Sequence, residues 1–294
     1  MRILYVAKFR SGGNDDEGAI ADAFERLGCT VTRRHELEAG DAPDMGEWDF
    51  VLFHKWDRFS SMLRCRAPLV CWYFDLVRYD DHLLATRNRR RTEYMDLVGN
   101  LCHTVFCTDG DHVARSPDHF RWLPQGADQR MVSSCDLGDA RRPGTVLITA
   151  SLGGGRERDN FMARLLGRHP TATHHRSGVH GADLCRKIRT HSVCVAPIAP
   201  ATHDYWSNRV YLTLGYGGFL LHPYCHRLAE THKDGVHLRY YRTVSDLDDL
   251  IAEYVDRPDK STHIAEAGLR LTATSHTYVD RCRHILAVLK DRGV

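Results

Sequence analysis

The chain has 294 residues, 43% of them hydrophobic and 27% charged, so it can bury an extensive apolar core and is too long for one small module. Two domains are the natural expectation. The net charge of +2 at pH 7 favours no class of partner. No stretch approaches the roughly 18–20 consecutive apolar residues of a membrane span, and no basic-then-apolar leader precedes the first strand pattern. We therefore expect a soluble cytoplasmic protein without a membrane span.

The first half of the chain alternates short β-like runs with amphipathic stretches. The predicted elements are strands over residues 3–7, 30–33, 50–53, 69–74 and 105–108 and a helix over 17–27. Strands and helices that take turns along the chain predict a parallel sheet with helices on both faces. The residues before Pro124 should be extended, because a residue that precedes proline is pushed out of the helical region.

Apolar periodicity disappears between Ser133 and Gly144, where glycine, proline and charged residues suit a connection. We place the domain boundary there, with one domain over residues 1–138 and another over 139–294, whose last helix can pack back on the first. The pattern then restarts, with predicted strands over 144–150, 192–198 and 218–222 and predicted helices over 159–166, 209–214, 244–255 and 278–290.

Cysteine and histidine give no disulfide or metal signal. The ten cysteines form no CxxC pair and stand singly in apolar runs, where a reduced thiol packs as a small hydrophobic group. The 19 histidines include no HExxH motif. We therefore predict neither a disulfide scaffold nor a metal site.

A surplus of positive charge lies between His54 and Arg91, called here the basic band, which holds nine Lys or Arg against four Asp. Such a band can contact the phosphates of an anionic partner, or it can be a solvated helix face. The candidate phosphate contacts are Lys55, Arg87, Arg89, Arg90 and Arg91.

The 205–224 segment is the most informative part of the sequence. Polar residues open a predicted helix there, and glycines close it before a buried strand. A helix amino terminus presents unpaired amides and partial positive charge, which suit a diphosphate, and glycine permits positive φ and close approach to a ligand. An ordinary helix end before a core strand is the alternative. The candidate ligand-binding residues are Ser207, Asn208, Arg209, Gly217, Gly218 and Phe219.

A second anion site is predicted where Gly153–Gly155 follows a strand and precedes a helix, because glycines free backbone amides to point at phosphate. Arg156 and Arg158 could neutralise a diphosphate there. The loop lacks the Gly-Lys-Ser/Thr of a P-loop, which disfavours ATP hydrolysis. A flexible turn is the alternative.

The 205–224 segment resembles the signature of glycosyltransferase family 1-type carboxyl-terminal domains, close to the CgeB-like spore-maturation group. The likeness covers about residues 144–289 and continues through Asp234–Tyr241, Asp246–Tyr254 and His276–Tyr278. It implies the α/β GT-B fold, in which two Rossmann-like domains face a central cleft. The second domain would bind a nucleotide sugar and the first an acceptor. The loop after the first strand commonly faces that cleft and here contains Ser11, Gly12, Gly13 and Asn14.

The resemblance also implies roles for particular residues. By position Arg158 resembles the family's donor-phosphate arginine, with Arg156 as the second candidate. Such families often carry a glutamate that binds ribose three residues after the helix arginine, but this chain has Leu212 there. Ribose contact would then fall to Asp204 or Ser207.

Glycosyl transfer needs a base for the acceptor hydroxyl. Asp75 follows the predicted strand 69–74, and residues just past the carboxyl end of a parallel strand face the ligand crevice. The aromatic-aromatic-Asp run also resembles CgeB-like amino-terminal domains. A helix N-cap is the structural alternative for Asp75. His54, Lys55 and Asp109 end neighbouring strands and are alternative bases.

We therefore expect a metal-independent glycosyltransferase with a UDP-sugar donor and no obligatory cofactor. Hydroxymethylated pyrimidine in DNA is the preferred acceptor, because the basic band lies in the acceptor domain. Aromatic side chains could stack on a flipped base, with core packing as their alternative; they are Trp56, Trp72, Tyr73 and Phe74. A saccharide or protein hydroxyl is the competing acceptor, and a catalytically inactive nucleotide or nucleic-acid binding module is the competing class. The missing GxGxxG after the first strand disfavours a dehydrogenase.

Overall fold

The computed structural model describes residues 1–9, 15–36, 48–55, 65–77, 85–133, 141–150, 156–175, 181–197 and 203–294, without the side chains of residues 85–87, 133 and 156–158. The strands of this described part are β1 (Arg2–Ala7), β2 (Thr30–His35), β3 (Phe50–Phe53), β4 (Leu69–Tyr73), β5 (Thr104–Cys107), β6 (Phe120–Trp122), β7 (Arg142–Thr149), β8 (Thr173–His175), β9 (His191–Val195), β10 (Leu220–Pro223) and β11 (Arg239–Tyr241). The helices are α1 (Asp16–Arg26), α2 (Ala85–Leu101), α3 (Gly110–Arg115), α4 (Gln129–Ser133), α5 (Arg156–Arg168), α6 (Gly181–Thr190), α7 (Arg209–Gly215), α8 (His226–Thr231), α9 (Val244–Tyr254), α10 (Pro258–Ser275) and α11 (Tyr278–Asp291).

The chain divides into two compact units. The first comprises Met1–Arg78, Arg87–Gln125 and Tyr278–Val294, and the second comprises Tyr79–Thr86 and Gly126–Thr277. The last helix, α11, thus belongs to the same unit as the amino-terminal strands. The predicted boundary between residues 138 and 139 lies outside the described residues and stays a prediction.

The first unit is built on a parallel sheet with the strand order β2-β1-β3-β4-β5-β6. Successive side chains of a strand point to opposite faces of the sheet. Ile3 and Tyr5 of β1 therefore lie in one apolar cluster, while Leu4 and Val6 lie in another. Helices α1 and α11 cover the first face, and α2 covers the second through Met95.

The second unit has a parallel sheet with the order β11-β10-β9-β7-β8. Val146 and Ile148 of β7 face an apolar cluster to which α5, α9 and α10 contribute. Leu147 points to the other face, where it meets Ile188 of α6. Helices therefore cover both faces of this sheet, as alternating strands and helices predict.

Both sheets are wound in the same order. In each, the first strand gains one neighbour on one side, and the chain then crosses over to add the remaining strands on the other. The resulting switch points lie between β1 and β3 and between β7 and β9. Ligands of open α/β sheets bind outside the carboxyl ends of the strands at such points. The predicted α/β class with two Rossmann-like sheets is confirmed.

The described residues also bear on the cysteines and on membrane insertion. The nine cysteines in this part of the chain are free. No helix in the described ranges is both long and apolar enough to cross a membrane.

Gly268 in α10 lies at a tight contact within the second unit. A Cβ atom added there would lie 2.5 Å from the backbone oxygen of His237 and 2.9 Å from Cδ2 of Leu214. A backbone oxygen cannot rotate away as a side chain can. Any larger residue must therefore displace α10 from its neighbours.

We predict that Gly268→Ala lowers the free energy of unfolding by about 1–3 kcal/mol, the cost typical of overpacking. Gly167→Ala near the end of α5 is the matched control, because an added Cβ there meets nothing within 4 Å. Alanine's helix propensity should leave that variant equal to the wild type or up to about 1 kcal/mol more stable. Urea unfolding followed by circular dichroism measures both. Equal stability of Gly268→Ala and the wild type would contradict the tight contact.

Candidate functional site

The glycine half of the 205–224 segment ends helix α7 and starts strand β10. The Gly218 amide donates to the carbonyl of Thr213 (2.8 Å), and the Gly217 amide donates to that of Leu214 (2.9 Å). This double bond is the Schellman ending of a helix. Gly217 has φ +74°, a conformation that glycine adopts without a steric penalty. The glycines thus turn the chain from the helix into the sheet.

Gly218 and Phe219 pack against the protein's own core. A Cβ atom at Gly218 would lie 2.5 Å from Cγ2 of Ile188. The Phe219 ring is fully buried, with its centroid 4.7 Å from that of Tyr254. The close approach that glycine permits here is to protein atoms. Ligand contacts of Gly217, Gly218 and Phe219 stay predictions.

The polar half of the segment places Ser207, Asn208 and Arg209 at the start of α7. Asn208 is the N-cap residue, but its side chain makes no capping hydrogen bond. The Ser207 hydroxyl is buried and has no hydrogen-bond partner among the described residues. A buried hydroxyl without a partner costs free energy, which a polar group of a bound ligand would offset. Ser207 therefore has the chemistry of a ligand contact.

His222 at the carboxyl end of β10 is a buried residue that the sequence did not single out. Its Nδ1 donates to the Pro223 carbonyl (2.7 Å), and its Nε2 has no hydrogen-bond partner within the described part. Burial lowers the pKa of His222 to about 3 against the opposing bond to Pro223, and the charge of Arg209 lowers it further. His222 is therefore neutral at pH 7 and lies within the electrostatic reach of Arg209. Its position at the carboxyl end of a predicted buried strand is the signal that could have identified it.

Leu212 occupies the position where a ribose-binding glutamate was expected. It packs against an apolar cluster that includes Leu147 and Ile188. Asp204, one of the two alternative ribose contacts, pairs with His203 (3.0 Å, Nδ1 to Oδ1) and with Arg227 (3.5 Å, Nε to Oδ2). The carboxylate of Asp204 is thus engaged by protein groups, and that leaves Ser207 as the available candidate.

Several predicted site residues lie outside the described part of the chain. They are the loops of Ser11, Gly12, Gly13 and Asn14 and of Gly153–Gly155, the residue Trp56, and the side chains of Arg87, Arg156 and Arg158. Helix α5 begins at Arg156, so a helix does follow the second glycine loop as predicted. The roles of these residues stay predictions.

In the first unit, the structure brings together three predicted residues. Asp75 follows β4 and forms ion pairs with Lys55, which follows β3, and with Arg91 on α2 (3.2 Å, Nη2 to Oδ2). Arg91 also donates to the Leu76 carbonyl. The Asp75 side chain is 35% exposed. A carboxylate held by two cations therefore lies at the carboxyl edge of this sheet, accessible to solvent.

His54 is buried beside this ion-pair cluster and is held on both sides. Its Nδ1 donates to the Trp72 carbonyl (2.7 Å), and its Nε2 accepts from the Tyr5 hydroxyl. Burial lowers the pKa of His54 to about 4 although the bond to Trp72 opposes it, and the charge of Lys55 lowers the pKa further. Because the protein engages both ring nitrogens, this geometry gives His54 a structural role.

Asp109, the third alternative base, has the structural role of a helix cap. Its Oδ1 accepts from the amide of His112 (3.1 Å), and its Oδ2 accepts from the amide of Val77 (2.9 Å). Burial raises the pKa of Asp109. The carboxylate caps α3 and holds the residues after β4.

The basic band is divided by the fold. Arg89 and Arg90 are exposed on α2, with Arg89 paired to Glu93 (3.6 Å), as a solvated helix face predicts. The predicted stacking role of Trp72 and Tyr73 is wrong, because both side chains are buried in the core clusters on the two faces of the sheet. Apolar burial stabilises these large rings more than solvent exposure would.

Residues 146–287 match the family model described as "Glycosyl transferase-like". This part of the chain is a glycosyltransferase-like domain. It contains most of β7, all of α7 and β10, and therefore the whole 205–224 segment. No curated protein sequence matches the chain at a significant level.

The fold is similar to that of several solved structures. HepE from Anabaena, solved in complex with UDP-glucose, is 11% identical with a TM-score of 0.65, over 99% of this chain and 100% of that one. Sucrose-phosphate synthase from Thermosynechococcus elongatus is 10% identical with a TM-score of 0.67, over 99% of each chain. AviGT4, a glycosyltransferase involved in avilamycin A biosynthesis, is 12% identical with a TM-score of 0.63, over 100% and 99%. The fold of this protein is the predicted GT-B fold.

We predict that His222 makes stability depend on pH. An unfolded histidine has a pKa near 6.5, while the pKa of His222 in the folded protein is about 3, so the unfolded chain binds the extra proton first. The free energy of unfolding therefore falls as the pH drops from about 6.5 towards 3. His222→Gln should remove up to about 1.4 kcal/mol per pH unit from this slope between about pH 6 and 4.

Urea unfolding at a series of pH values measures that slope. The exposed His263 in α10 is the matched control, and His263→Gln should keep the wild-type slope. A His222→Gln slope equal to that of the wild type would show that the buried ring does not contribute.

Proposed function

We propose that this protein transfers a sugar from a nucleotide-sugar donor to an acceptor hydroxyl, with the donor bound by the second unit and the acceptor by the first. The family match over residues 146–287 carries this proposal, because it covers the whole 205–224 segment. The reaction would be a glycosyl transfer of the EC 2.4 class.

The proposed donor is a UDP-sugar. HepE, which shares the GT-B fold, was solved with UDP-glucose. In this chain Arg209 supplies a cation for the diphosphate, and Arg156 and Arg158 are the further predicted cations. Ser207, whose buried hydroxyl lacks a protein partner, is the proposed ribose contact. Since these cations can stabilise the departing diphosphate, the proposed reaction needs no metal ion.

Asp75 is the proposed base. Its carboxylate is partly exposed, whereas His54 and Asp109 use their polar atoms to hold the fold. Asp75 would accept the acceptor's hydroxyl proton while the oxygen attacks the anomeric carbon and the bond from that carbon to the diphosphate breaks. Lys55 and Arg91 would orient the carboxylate through their ion pairs.

Hydroxymethylated pyrimidine in DNA is the proposed acceptor, because it offers a primary alcohol on a polyanion. The exposed Arg89 and Arg90 on α2 favour this proposal. Recognition of the base must use residues other than Trp72 and Tyr73, which are buried. A saccharide or protein hydroxyl is the competing acceptor. The free cysteines fit the reducing cytoplasm, where we propose that the reaction takes place.

A panel of nucleotide sugars and acceptors tests the activity directly. The protein is incubated with each donor and with hydroxymethylated DNA, unmodified DNA or saccharides, and the products are identified by mass spectrometry. A sugar added only to hydroxymethylated DNA supports the proposed acceptor, while a modified saccharide supports the competing one. Tight UDP binding without hydrolysis or transfer from any donor would instead identify an inactive binding module.

We predict that two substitutions separate donor binding from transfer. Arg209→Ala should weaken UDP binding at least about tenfold, because it removes a charge-assisted contact worth roughly 1.5–3 kcal/mol. Asp75→Asn should leave UDP binding unchanged and lower kcat by about 10²–10⁴-fold, the usual contribution of a general base. Calorimetric titration with UDP and a product assay measure the two effects.

Arg270→Ala in α10 is the control for the arginine, since that side chain is exposed and pairs only within its helix, with Glu266, among the pairs that the structure describes. Unimpaired turnover of Asp75→Asn would remove Asp75 from the base role. Unchanged UDP affinity of Arg209→Ala would place the diphosphate elsewhere.

We predict that exchange of both Arg89 and Arg90 for alanine weakens duplex DNA binding and flattens its salt dependence by up to about two charges, with a slope change near 0.9 per phosphate contact. Arg91 is left in place because it pairs with Asp75. Fluorescence anisotropy at several salt concentrations gives both quantities.

The control exchanges Arg26 and Arg283, two arginines of the first unit that pair within their own helices. It removes the same total charge from other positions. If both double variants behave alike, or neither differs from the wild type, α2 is a solvated face and not a DNA contact.

A further inference from the structure

The two ends of the 205–224 segment are joined to each other. His203 precedes the segment and His226 follows it, and the His226 amide donates to the His203 carbonyl (3.1 Å). The thiol of Cys225 also donates to the His203 carbonyl (3.0 Å). Residues that lie more than twenty positions apart in the sequence therefore meet at the base of the segment.

Three side chains with metal-binding atoms converge at this point. His203, Asp204 and His226 each offer one such atom, and the three atoms lie within 4.8 Å of one another. The Asp204 side chain is only 11% exposed, whereas those of His203 and His226 are 64% and 55% exposed. We call this group the 203–226 cluster. It combines one fixed carboxylate with two imidazoles that can turn.

We propose that the 203–226 cluster binds a divalent transition-metal ion such as Zn²⁺, which connects the two ends of the 205–224 segment. Two imidazoles and one carboxylate are the ligand types that such ions prefer, while Ca²⁺ and Mg²⁺ prefer oxygen ligands alone. This site goes beyond the proposed function, since the transfer proposed above uses no metal.

The surroundings of Asp204 support a role as the fixed ligand. Arg227 lies 3.5 Å from Oδ2 of Asp204, whereas Oδ1 faces Nδ1 of His203 at 3.0 Å. A charged partner on the far oxygen orients a carboxylate ligand in the way that outer-shell groups of metal sites do. The cluster thus contains both a first ligand and the group that holds it.

Metal binding requires the two imidazole rings to turn. The His203 and His226 rings are stacked, with centroids 4.7 Å apart and an interplanar angle of 16°. An ion bound by a ring nitrogen lies close to the plane of that ring, so nearly parallel rings cannot share one ion. The exposure of both rings allows this rotation without repacking of the core.

The consequence of binding is a connection across the base of the segment. The ion would hold residues on both sides of α7 and β10, and a ligand that binds only the folded state adds its binding free energy to stability. The role of the ion is therefore structural: it stabilises the backbone on which Ser207 and Arg209 are placed.

The test uses the full-length, tag-free protein after removal of metals with a chelator. Zn²⁺ is titrated in competition with a chromogenic chelator, and thermal unfolding is recorded with and without Zn²⁺. We expect one tightly bound ion per chain and a higher Tm with Zn²⁺. His203→Ala and His226→Ala should each weaken binding at least about tenfold, because loss of an outer-shell partner alone costs 10–100-fold. Both should lose the rise in Tm.

His263→Ala is the matched control, because His263 is an exposed histidine of the same unit that lies outside the cluster. It should bind Zn²⁺ like the wild type. Circular dichroism checks that the variants are folded, which the exposure of both histidines favours. Absence of saturable Zn²⁺ binding, or equal affinity in the wild type and both cluster variants, would overturn the proposal. Neither result depends on glycosyl transfer, because no donor or acceptor is present.

Discussion

Parallel strand pairing determines where the candidate functional residues lie. Because every strand of a sheet runs in the same direction, the residues that follow the strands meet at one edge. Lys55 after β3 and Asp75 after β4 thereby become ion-pair partners although 20 residues separate them. In the second unit the same rule places His222 at the carboxyl end of β10, within the electrostatic reach of Arg209.

The sequence predicts the strands well because most of them are buried on both faces. Apolar runs such as those of β3 and β4 have every residue buried, so no surface pattern interrupts them. Helix α2 is not predicted as an element, because its basic residues form no continuous apolar stripe and it joins the core mainly through Met95 and Val98. The edge strand β8 is missed for a similar reason, since its three residues are polar and none is buried.

Contacts between distant residues are the part of the site that local patterns do not predict. The roles of His54 and Asp109 as held structural groups depend on Tyr5, Trp72 and Val77, which only the sheet register brings close. The 203–226 cluster has the same origin. A search for HExxH tests ligands one helical turn apart, whereas His203 and His226 meet through the backbone at the two ends of a segment.

The two halves of the 205–224 segment differ in how completely the protein satisfies its own polar groups. The glycine half is complete, because the amides of Gly217 and Gly218 bond within the helix ending and Phe219 fills the core. The other side retains buried atoms without protein partners in the described part, namely the Ser207 hydroxyl and Nε2 of His222. Unsatisfied buried groups persist where a ligand offsets their cost. Donor recognition therefore belongs to the start of α7 and the end of β10, while the glycines that carry the family resemblance provide the turn that places these two ends.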